Sequence, residues 1–359
     1  MSILFEGMNG KMKKLYSALW AGNDFIEKNK DLINNTTDSN NKVTSLNSYC
    51  FAAKENIDEL LIKIFGIAEP ELFRIKFNMA VSGAGQEIRK ISTLHSSSLC
   101  ALLHFYNVTD KNPLILSNLE TDKKKRAVRF TKSFFEFKSP VINNPSNMDV
   151  VLTGKDTESD EDIVFFLESK FSEYYLYAAK ETGKISNKYL SHEYSEPLIY
   201  NFVRSLDGLQ IVYVDEKYFK LVSETEPFYI DGIKQMISHY TGIRNVLAHS
   251  YYKEADPDNT AKQKEIEDVI NNGNKGKGAI AILGEIVFDR FIGDFELRTG
   301  LKCGAIYSKK YEELAKHIGH LTYDLPQFEI MKQELGYSLF ITNDHFTEEP
   351  IRQFYREKK

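Results

Sequence analysis

Two acidic residues and one lysine near the middle of the chain have the types and spacing of a metal-dependent hydrolytic site. Asp149 and Glu168 lie 19 positions apart (168 − 149), each on a predicted apolar strand, with an acidic loop between the strands. Antiparallel pairing brings a residue near the start of one strand beside a residue near the end of the next. Lys170 follows Glu168 by two positions, so both side chains point to the same face. We therefore expect the three side chains to meet at one end of a sheet.

This set of side chains is suited to hydrolysing a phosphodiester bond with the help of a divalent cation. Two carboxylates held ~4 Å apart repel each other by roughly 4 kcal/mol at an effective dielectric constant of about 20. A cation between them removes that cost, and oxygen ligands favour Mg²⁺ or Mn²⁺. The Lys170 amine would then orient or deprotonate a water molecule, or neutralise charge that develops on the scissile phosphate.

The context of the Glu168-Ser169-Lys170 triplet is more informative than the triplet itself. With 51 acidic and 46 basic residues in 359 positions, chance alone predicts about six or seven acid-x-base triplets. This triplet, however, ends the near-continuous apolar run 163–167, which is typical of a strand buried on both faces. Charges at the end of an apolar strand are also typical of an ordinary solvated edge, and the spacing leaves both interpretations open.

The predicted elements around these residues follow the order helix, strand, strand, strand, helix, strand. Apolar residues at helical or alternating spacing define them, over residues 86–107, 128–137, 148–153, 163–167, 231–248 and 279–288. A run of strands followed by a helix and a returning strand predicts an α/β (α+β) fold, with a mixed β-sheet flanked by helices.

The residues around the three chemical positions resemble the PD-(D/E)xK, or restriction-endonuclease-like, nuclease superfamily. Asn147-Met148-Asp149-Val150-Val151 is similar to its metal-binding strand, with Asn147-Met148 where a proline can precede the aspartate. Phe166-Leu167-Glu168-Ser169-Lys170 is similar to its lysine strand. Looser similarities to the first core helix, to the helix after the lysine strand and to the closing strand follow in order, at residues 85–87, 95–101, 231–237, 242–243 and 283–288. The resemblance covers about residues 83–290.

The resemblance implies a restriction-endonuclease-like core in which Glu87, Asp149 and Glu168 bind Mg²⁺ (or Mn²⁺) and Lys170 serves catalysis. It also makes Gln235 a candidate for a supporting polar contact. A glutamate in the first turn of a helix favours the helix dipole without any ligand, so Glu87 keeps both interpretations. The implied activity is that of a DNA endonuclease of a bacterial restriction or defence system. We expect a homodimer, because double-strand cutters commonly use two active sites related by two-fold symmetry.

One basic cluster is a candidate for contacts with a nucleic-acid backbone. Its members, Lys123, Lys124, Lys125 and Arg126, are consecutive and precede a predicted strand. The net charge of −5 gives no general attraction to nucleic acid, but phosphate contacts depend on where the cations lie rather than on their total. Solvated loop charge is the alternative interpretation of this cluster.

The rest of the chain predicts additions to a central core. We expect an N-terminal helical extension over residues 1–80, a nuclease core over 81–290 with an insertion at about 171–226, and a C-terminal helical extension over 291–359. No apolar run reaches the ~20 residues that span a bilayer, and the first residues lack a secretory pattern. Three cysteines without metal-binding spacing suit a reducing compartment. These features predict a cytoplasmic protein with no membrane partner.

Two other functions remain as alternatives. Arg244 and His249 resemble the Arg-Asn-x-x-x-His motif of the HEPN ribonucleases, which act without a metal. Five helical positions separate this pair by about 140° around the axis, and basic residues also complement a helix C-terminus. The second alternative is a non-catalytic nucleic-acid-binding or scaffold protein on a degenerate nuclease fold, since a fold does not dictate function.

Overall fold

A mixed β-sheet flanked by helices forms the centre of the fold, as the sequence predicts. The structure is a computed structural model that describes residues 16–17, 19–35, 49–51, 56–82, 87–139, 141, 145–171, 185–186, 210–215, 218–222, 230–247, 260–289, 304–323, 325–337, 339 and 348–355. Its strands are β1 (Ile33–Asn35), β2 (Tyr49–Phe51), β3 (Leu114–Glu120), β4 (Lys125–Ser139), β5 (Ser146–Asp156), β6 (Asp162–Lys170), β7 (Ile185–Ser186), β8 (Gln210–Asp215), β9 (Tyr218–Val222), β10 (Ile280–Val287), β11 (Phe328–Ile330) and β12 (Leu335–Gly336). Its helices are α1 (Asp24–Lys28), α2 (Ile57–Phe65), α3 (Pro70–Ala80), α4 (Glu87–Ile91), α5 (Ser97–Phe105), α6 (Ile230–Leu247), α7 (Thr260–Gly276), α8 (Gly304–Leu321) and α9 (Glu349–Tyr355).

The main sheet has the strand order β11–β10–β6–β5–β4–β3, and β12 also pairs with β10. Strands β3 to β6 pair antiparallel with their neighbours in sequence, because short turns join them. Strand β10 pairs parallel with β6 along its whole length. A parallel pair needs a long crossover connection, and α6 and α7 lie in the chain between β6 and β10. The sheet is therefore antiparallel on one side of β6 and parallel on the other.

Strand β6 is buried on both faces, which confirms the prediction from its apolar sequence. Residues 163–167 have 0% exposure, and helices α5 and α7 both pack against the strand. Helix α5 begins where the Ser96 hydroxyl oxygen accepts a hydrogen bond from the Leu99 N–H at 3.1 Å, a common N-terminal cap. The segment before this cap differs from the prediction of one helix over residues 86–107.

Two helices, α4 and α5, replace that single predicted helix. Between them, the Thr93 hydroxyl donates to the Lys90 carbonyl at 2.8 Å, and the Ser96 N–H donates to the Thr93 carbonyl at 3.1 Å. Serine and threonine side chains compete in this way for backbone hydrogen bonds that a continuous helix would use. The prediction of a continuous helix was wrong because apolar periodicity does not register this competition.

The main sheet curls until its two edges meet at one end. Thr121, in the turn between β3 and β4, forms an isolated antiparallel bridge with Met331, just after β11. The Asp122 N–H donates to the Ile330 carbonyl at 2.8 Å. Residues 291–359, predicted as a helical extension, thus supply β11 and β12 to the main sheet, and their described part also contains α8 and α9. The helical prediction was incomplete because strands of two and three residues carry almost no periodicity.

One guanidinium group holds this curled end together. Arg126 on β4 donates through Nε and Nη2 to the Glu329 carboxylate on β11, at 2.8 and 2.5 Å. Its Nη1 donates to the carboxylates of Asp156 on β5 (2.9 Å) and of Glu161 (3.0 Å). Arg126, Asp156 and Glu329 are all buried. Buried charges persist in a folded protein only when they are paired and hydrogen-bonded, so this cluster fixes how the sheet curls.

Helices from both ends of the chain pack together. Helix α9 contacts α1 and α2, and the Phe354 ring centroid lies 5.6 Å from that of Trp20, 5.3 Å from Phe25 and 5.5 Å from Phe65. The Asn23 side-chain amide donates to the Gln353 carbonyl at 2.9 Å. The described part of residues 1–80 contains α1, α2 and α3 and the short ladder of β1 and β2.

The predicted insertion at about 171–226 forms a small sheet in the part that the structure describes. Its order is β7–β9–β8, with both pairs antiparallel.

We expect Arg126→Met to lower the free energy of unfolding by about 3–5 kcal/mol, because it leaves two carboxylates buried without their cation. Urea unfolding near neutral pH measures this loss. Lys125→Met is the matched control, since Lys125 is exposed and pairs with Glu120 at the surface (2.7 Å), where an ion pair contributes about 0–1 kcal/mol. Similar losses for the two variants would contradict the role of the buried cluster.

Candidate active site

Four acidic residues occupy consecutive cross-strand positions on four neighbouring strands of the main sheet. The register pairs Glu168 on β6 with Glu285 on β10. The last described pair of β5 and β6 is Val150 with Leu167, and the next position along the register places Asp149 opposite Glu168. Glu136 on β4 lies opposite Asp149, because its neighbours Phe135 and Phe137 pair with the residues on either side of Asp149. Side chains at directly opposed positions share one face of a sheet, so these four residues form what we call the carboxylate row.

The sequence predicted two members of the carboxylate row and missed the other two. Glu136 interrupts the apolar run 134–137, and Glu285 interrupts the apolar strand 280–287. Both are buried. A single acidic residue inside an otherwise apolar strand was therefore the signal that identifies them. The cross-strand register was needed to bring them into one row.

The Glu168 carboxylate is buried and engaged at both oxygens. Its Oε1 accepts a hydrogen bond from Lys170 Nζ at 2.5 Å, and its Oε2 lies 2.8 Å from His239 Nε2. Burial alone would raise the pKa of Glu168, but the charge of Lys170 and the contact with His239 lower this pKa to about 2. Glu168 is therefore an anion at neutral pH although its exposure is only 2%.

Helix α6 supplies two side chains to this carboxylate and its lysine. Gln235 and His239 lie four positions apart and therefore face the same side of the helix. The Gln235 amide oxygen accepts a hydrogen bond from Lys170 Nζ at 2.7 Å, the supporting contact for which the sequence made Gln235 a candidate. His239 Nδ1 lies 2.6 Å from the Ser146 hydroxyl at the start of β5. His239 and Ser146 were not among the predicted site residues.

Asp149 lies beside this cluster in a different electrostatic environment. Its side chain is half-buried, and its Oδ2 accepts a hydrogen bond from the Ser169 N–H at 2.7 Å. Burial, followed by the negative charges of Glu168 and Glu136, raises the pKa of Asp149 well above its usual range. The pKa values of neighbouring Asp149 and Glu168 thus move in opposite directions, a pattern found where two carboxylates have different tasks.

The donor set of this site fits a hard divalent cation. Asp149 and Glu168 offer carboxylate oxygens, the ligands that Mg²⁺ and Mn²⁺ prefer, and a cation there would offset the repulsion between them. Within the described ranges, no group of three or more His, Cys, Asp or Glu side chains forms a complete metal cluster. Glu87, the third ligand that the resemblance implies, begins α4, and its side chain lies outside the described part.

The predicted basic cluster lies at the other end of the sheet. Ten residues separate Arg126 from Glu136 along β4, or about 33 Å at ~3.3 Å per residue. Arg126 is buried among carboxylates, so it is not accessible to a phosphate backbone, and its prediction as a nucleic-acid contact was wrong. Lys124 pairs with Glu161 at 3.0 Å, Lys125 pairs with Glu120 at 2.7 Å, and Lys123 Nζ donates to the carbonyls of Thr322 and Leu325. A nucleic-acid role for the three lysines stays a prediction.

The alternative Arg244 and His249 pair does not form a described site. Arg244 lies near the end of α6, and its Nη1 donates to the Tyr240 hydroxyl at 2.9 Å. His249 lies outside the described residues. Helix α6 packs against β4 and β5 of the main sheet, whereas the ribonuclease motif belongs to a helical bundle.

Comparisons with known proteins assign no family to this arrangement. No family model, no curated protein and no solved structure matches the chain. None of the described helices combines the length and the apolar composition that crossing a membrane requires. The function must therefore be argued from the carboxylate row and its partners.

We expect Asp149→Asn to stabilise the protein in EDTA by about 0.5–2 kcal/mol near pH 7.5, the range common for a single stabilising substitution. The folded-state pKa of Asp149 is raised, so the aspartate stabilises the fold only while protonated. That stability is lost as pH rises from about 4 through the folded-state pKa. Urea unfolding in EDTA at several pH values should show the gain of the variant shrinking towards pH 4.

Asp156→Asn is the matched control at the other end of β5. Burial opposes ionisation of Asp156, but the Glu158 and Ser159 N–H groups and Arg126 lower its pKa overall. This substitution should therefore destabilise the protein near neutral pH. A loss of stability in Asp149→Asn at pH 7.5 would contradict the electrostatic interpretation of the carboxylate row.

Proposed function

We propose that the chain is a divalent-metal-dependent endonuclease of the PD-(D/E)xK type that hydrolyses DNA phosphodiester bonds. The observation that carries this proposal is the cluster in which Lys170 bonds to Glu168 while Asp149 lies opposite Glu168 on the adjacent strand. The element order supports it, because it contains the expected helix, strand, strand, strand, helix and strand as α5, β4, β5, β6, α6 and β10. The additional elements are β3 after α5, the small sheet of the insertion after β6, and α7 before β10.

Each residue of the cluster has a task in this proposal. Asp149 and Glu168 would hold Mg²⁺ or Mn²⁺, with Glu87 as the further ligand that the resemblance implies. The bound ion would supply Lewis-acid activation of the phosphate and a more acidic water molecule. Lys170 would orient the attacking water or stabilise negative charge on the phosphate oxygens. Gln235 accepts a second hydrogen bond from the Lys170 amine at 2.7 Å and would keep the amine near the cluster when a cation takes its place on Glu168.

Three parts of the proposal rest on the resemblance: DNA as the substrate, a bacterial restriction or defence context, and a homodimer. The cytoplasmic location is also part of the proposal and rests on the cysteine usage and the lack of a secretory pattern. Two-fold symmetry would present one active site to each strand of a duplex. The Lys123, Lys124 and Lys125 amines already bind acceptors of the same chain. To contact DNA, these lysines would have to give up those acceptors and bind phosphates instead.

One observation favours a second candidate, a non-catalytic binding or scaffold protein. Lys170 and His239 satisfy both oxygens of Glu168 within the chain itself, as the partners of a purely structural buried charge would. Calorimetry with Mn²⁺ separates the two candidates. The endonuclease must bind the ion and lose binding in Glu168→Ala, whereas the scaffold has no need to bind it.

We expect the purified protein to cut plasmid DNA with Mg²⁺ or Mn²⁺ and to stop when EDTA is added. Lys170→Ala should lower the rate by about 10²–10⁴-fold, because it removes the group that assists proton transfer. Conversion of supercoiled plasmid to nicked and linear forms measures the rate. Lys155→Ala is the control, since this lysine lies at the other end of β5 in exposed ion pairs with Asp160 and Asp162.

Two outcomes would replace the proposal. Absence of both cutting and metal binding by the folded protein would favour the scaffold. Cleavage of RNA that persists in EDTA and disappears in His249→Ala would favour the metal-independent ribonuclease.

A further inference from the structure

His239 is a buried histidine with a described partner at each ring nitrogen. Its exposure is 1%, its Nε2 lies 2.8 Å from Glu168 Oε2, and its Nδ1 lies 2.6 Å from the Ser146 hydroxyl. A buried histidine is often only a satisfied core residue. The partner at Nε2 distinguishes this one, because that partner is a carboxylate of the candidate active site.

The chemistry of the partners fixes the position of one proton. The ionised Glu168 carboxylate only accepts hydrogen bonds, so His239 Nε2 carries the hydrogen and donates it. In the neutral imidazole, Nδ1 then accepts from the Ser146 hydroxyl. The resulting chain runs from β5 through α6 to β6, and it fixes the ring in both its tautomer and its orientation.

The two donors to Glu168 differ in how firmly they are held. Lys170 reaches Oε1 with an ammonium group on a flexible four-carbon side chain. His239 reaches Oε2 with a planar ring on α6, a helix whose neighbouring residues Met236 and Tyr240 are buried at 0% and 1% exposure. A cation that takes Oε1 would displace the ammonium group, whereas the imidazole would stay on the other oxygen.

We infer that His239 is a positioning residue that orients Glu168 for a divalent cation and thereby sets the affinity of the site for Mg²⁺ and Mn²⁺. This inference rests on the proposed function, since it assumes that Glu168 is a metal ligand. Hydrogen-bonded partners of metal ligands typically change metal affinity about 10–100-fold when they are removed. Their removal changes the amount of metal required rather than the groups that react.

The test compares the dissociation constants for Mn²⁺ and Mg²⁺ of several full-length variants by calorimetry. His239→Leu removes the donor at similar volume and should weaken metal binding about 10–100-fold. His239→Gln keeps an N–H donor and should recover part of the affinity, which a merely structural role would not predict. The rise in melting temperature on adding Mn²⁺ should follow the same order, and this readout does not require cleavage.

His104→Leu is the matched control for loss of a buried histidine. His104 has 0% exposure, and its Nδ1 lies 2.7 Å from the Cys100 carbonyl within the same helix. This variant should lose stability in EDTA but keep the wild-type dissociation constant for metal. A weakening equal to that of His239→Leu would overturn the inference, because general loosening of the core would then explain both.

The remaining outcomes separate the inference from the proposed function. Wild-type protein that binds metal, together with His239→Leu that binds it equally tightly, would overturn the inference and leave the endonuclease intact. Wild-type protein that binds neither Mn²⁺ nor Mg²⁺ would overturn the endonuclease itself. If His239→Leu does not fold, His239→Gln and Ser146→Ala carry the test: weakened binding in both supports the inference, and wild-type affinity in both overturns it.

Discussion

Burying the Glu168 carboxylate at the end of a central strand is the constraint on which this site depends. An ionised carboxylate without partners is too costly to keep out of water. Lys170, two residues along the same strand, satisfies one oxygen, and His239 satisfies the other. The second contact exists only because α6 packs across β4 and β5. The crossover between β6 and β10 thus has two roles. It allows the two strands to pair parallel, and its helix α6 supplies the His239 contact to Glu168.

The two ends of the main sheet handle buried charge in opposite ways. At the curled end, Arg126 is matched by carboxylates from β5 and β11, and the arrangement stabilises the fold. At the other end, Asp149 lies near Glu168 and Glu136, and its pKa is raised by burial and by their charge. Unrelieved repulsion of this kind lowers stability and is typical of functional sites. The two ends therefore differ in electrostatics: carboxylates are paired with a cation at one end and lie near one another at the other.

A polar network supports β6 at Ser169, between Glu168 and Lys170. The Ser169 hydroxyl donates to the Ser97 carbonyl of α5 (3.2 Å), and the Tyr337 hydroxyl lies 2.8 Å from its oxygen. The Ser169 N–H binds the Asp149 carboxylate. One residue therefore connects the first core helix, the C-terminal segment and the candidate site. Segments that the sequence separates as core and extension are parts of one structure here.

The sequence by itself located β4, β5, β6, α6 and β10, and with them the three candidate site residues Asp149, Glu168 and Lys170. It missed β3 and α7, and it joined α4 and α5 into one helix. Short apolar runs located the strands that carry Asp149 and Glu168, and a spacing of two placed Lys170 on the same face as Glu168. Helical spacing located α6 and with it Gln235. These properties are local, because backbone periodicity repeats every few residues and leaves its trace in a short window of sequence.

Only the tertiary structure decided which distant groups meet. His239 reaches Glu168 across 71 positions, and Arg126 reaches Glu329 across 203. No local pattern encodes such separations, since they depend on strand register and on how the helices pack. The register also places Glu136 and Glu285 in the carboxylate row. Arg126 is buried, and not on a nucleic-acid surface as predicted, because the sheet curls around it. The residue types made Asp149, Glu168 and Lys170 candidates, but the fold determined which side chains contact them.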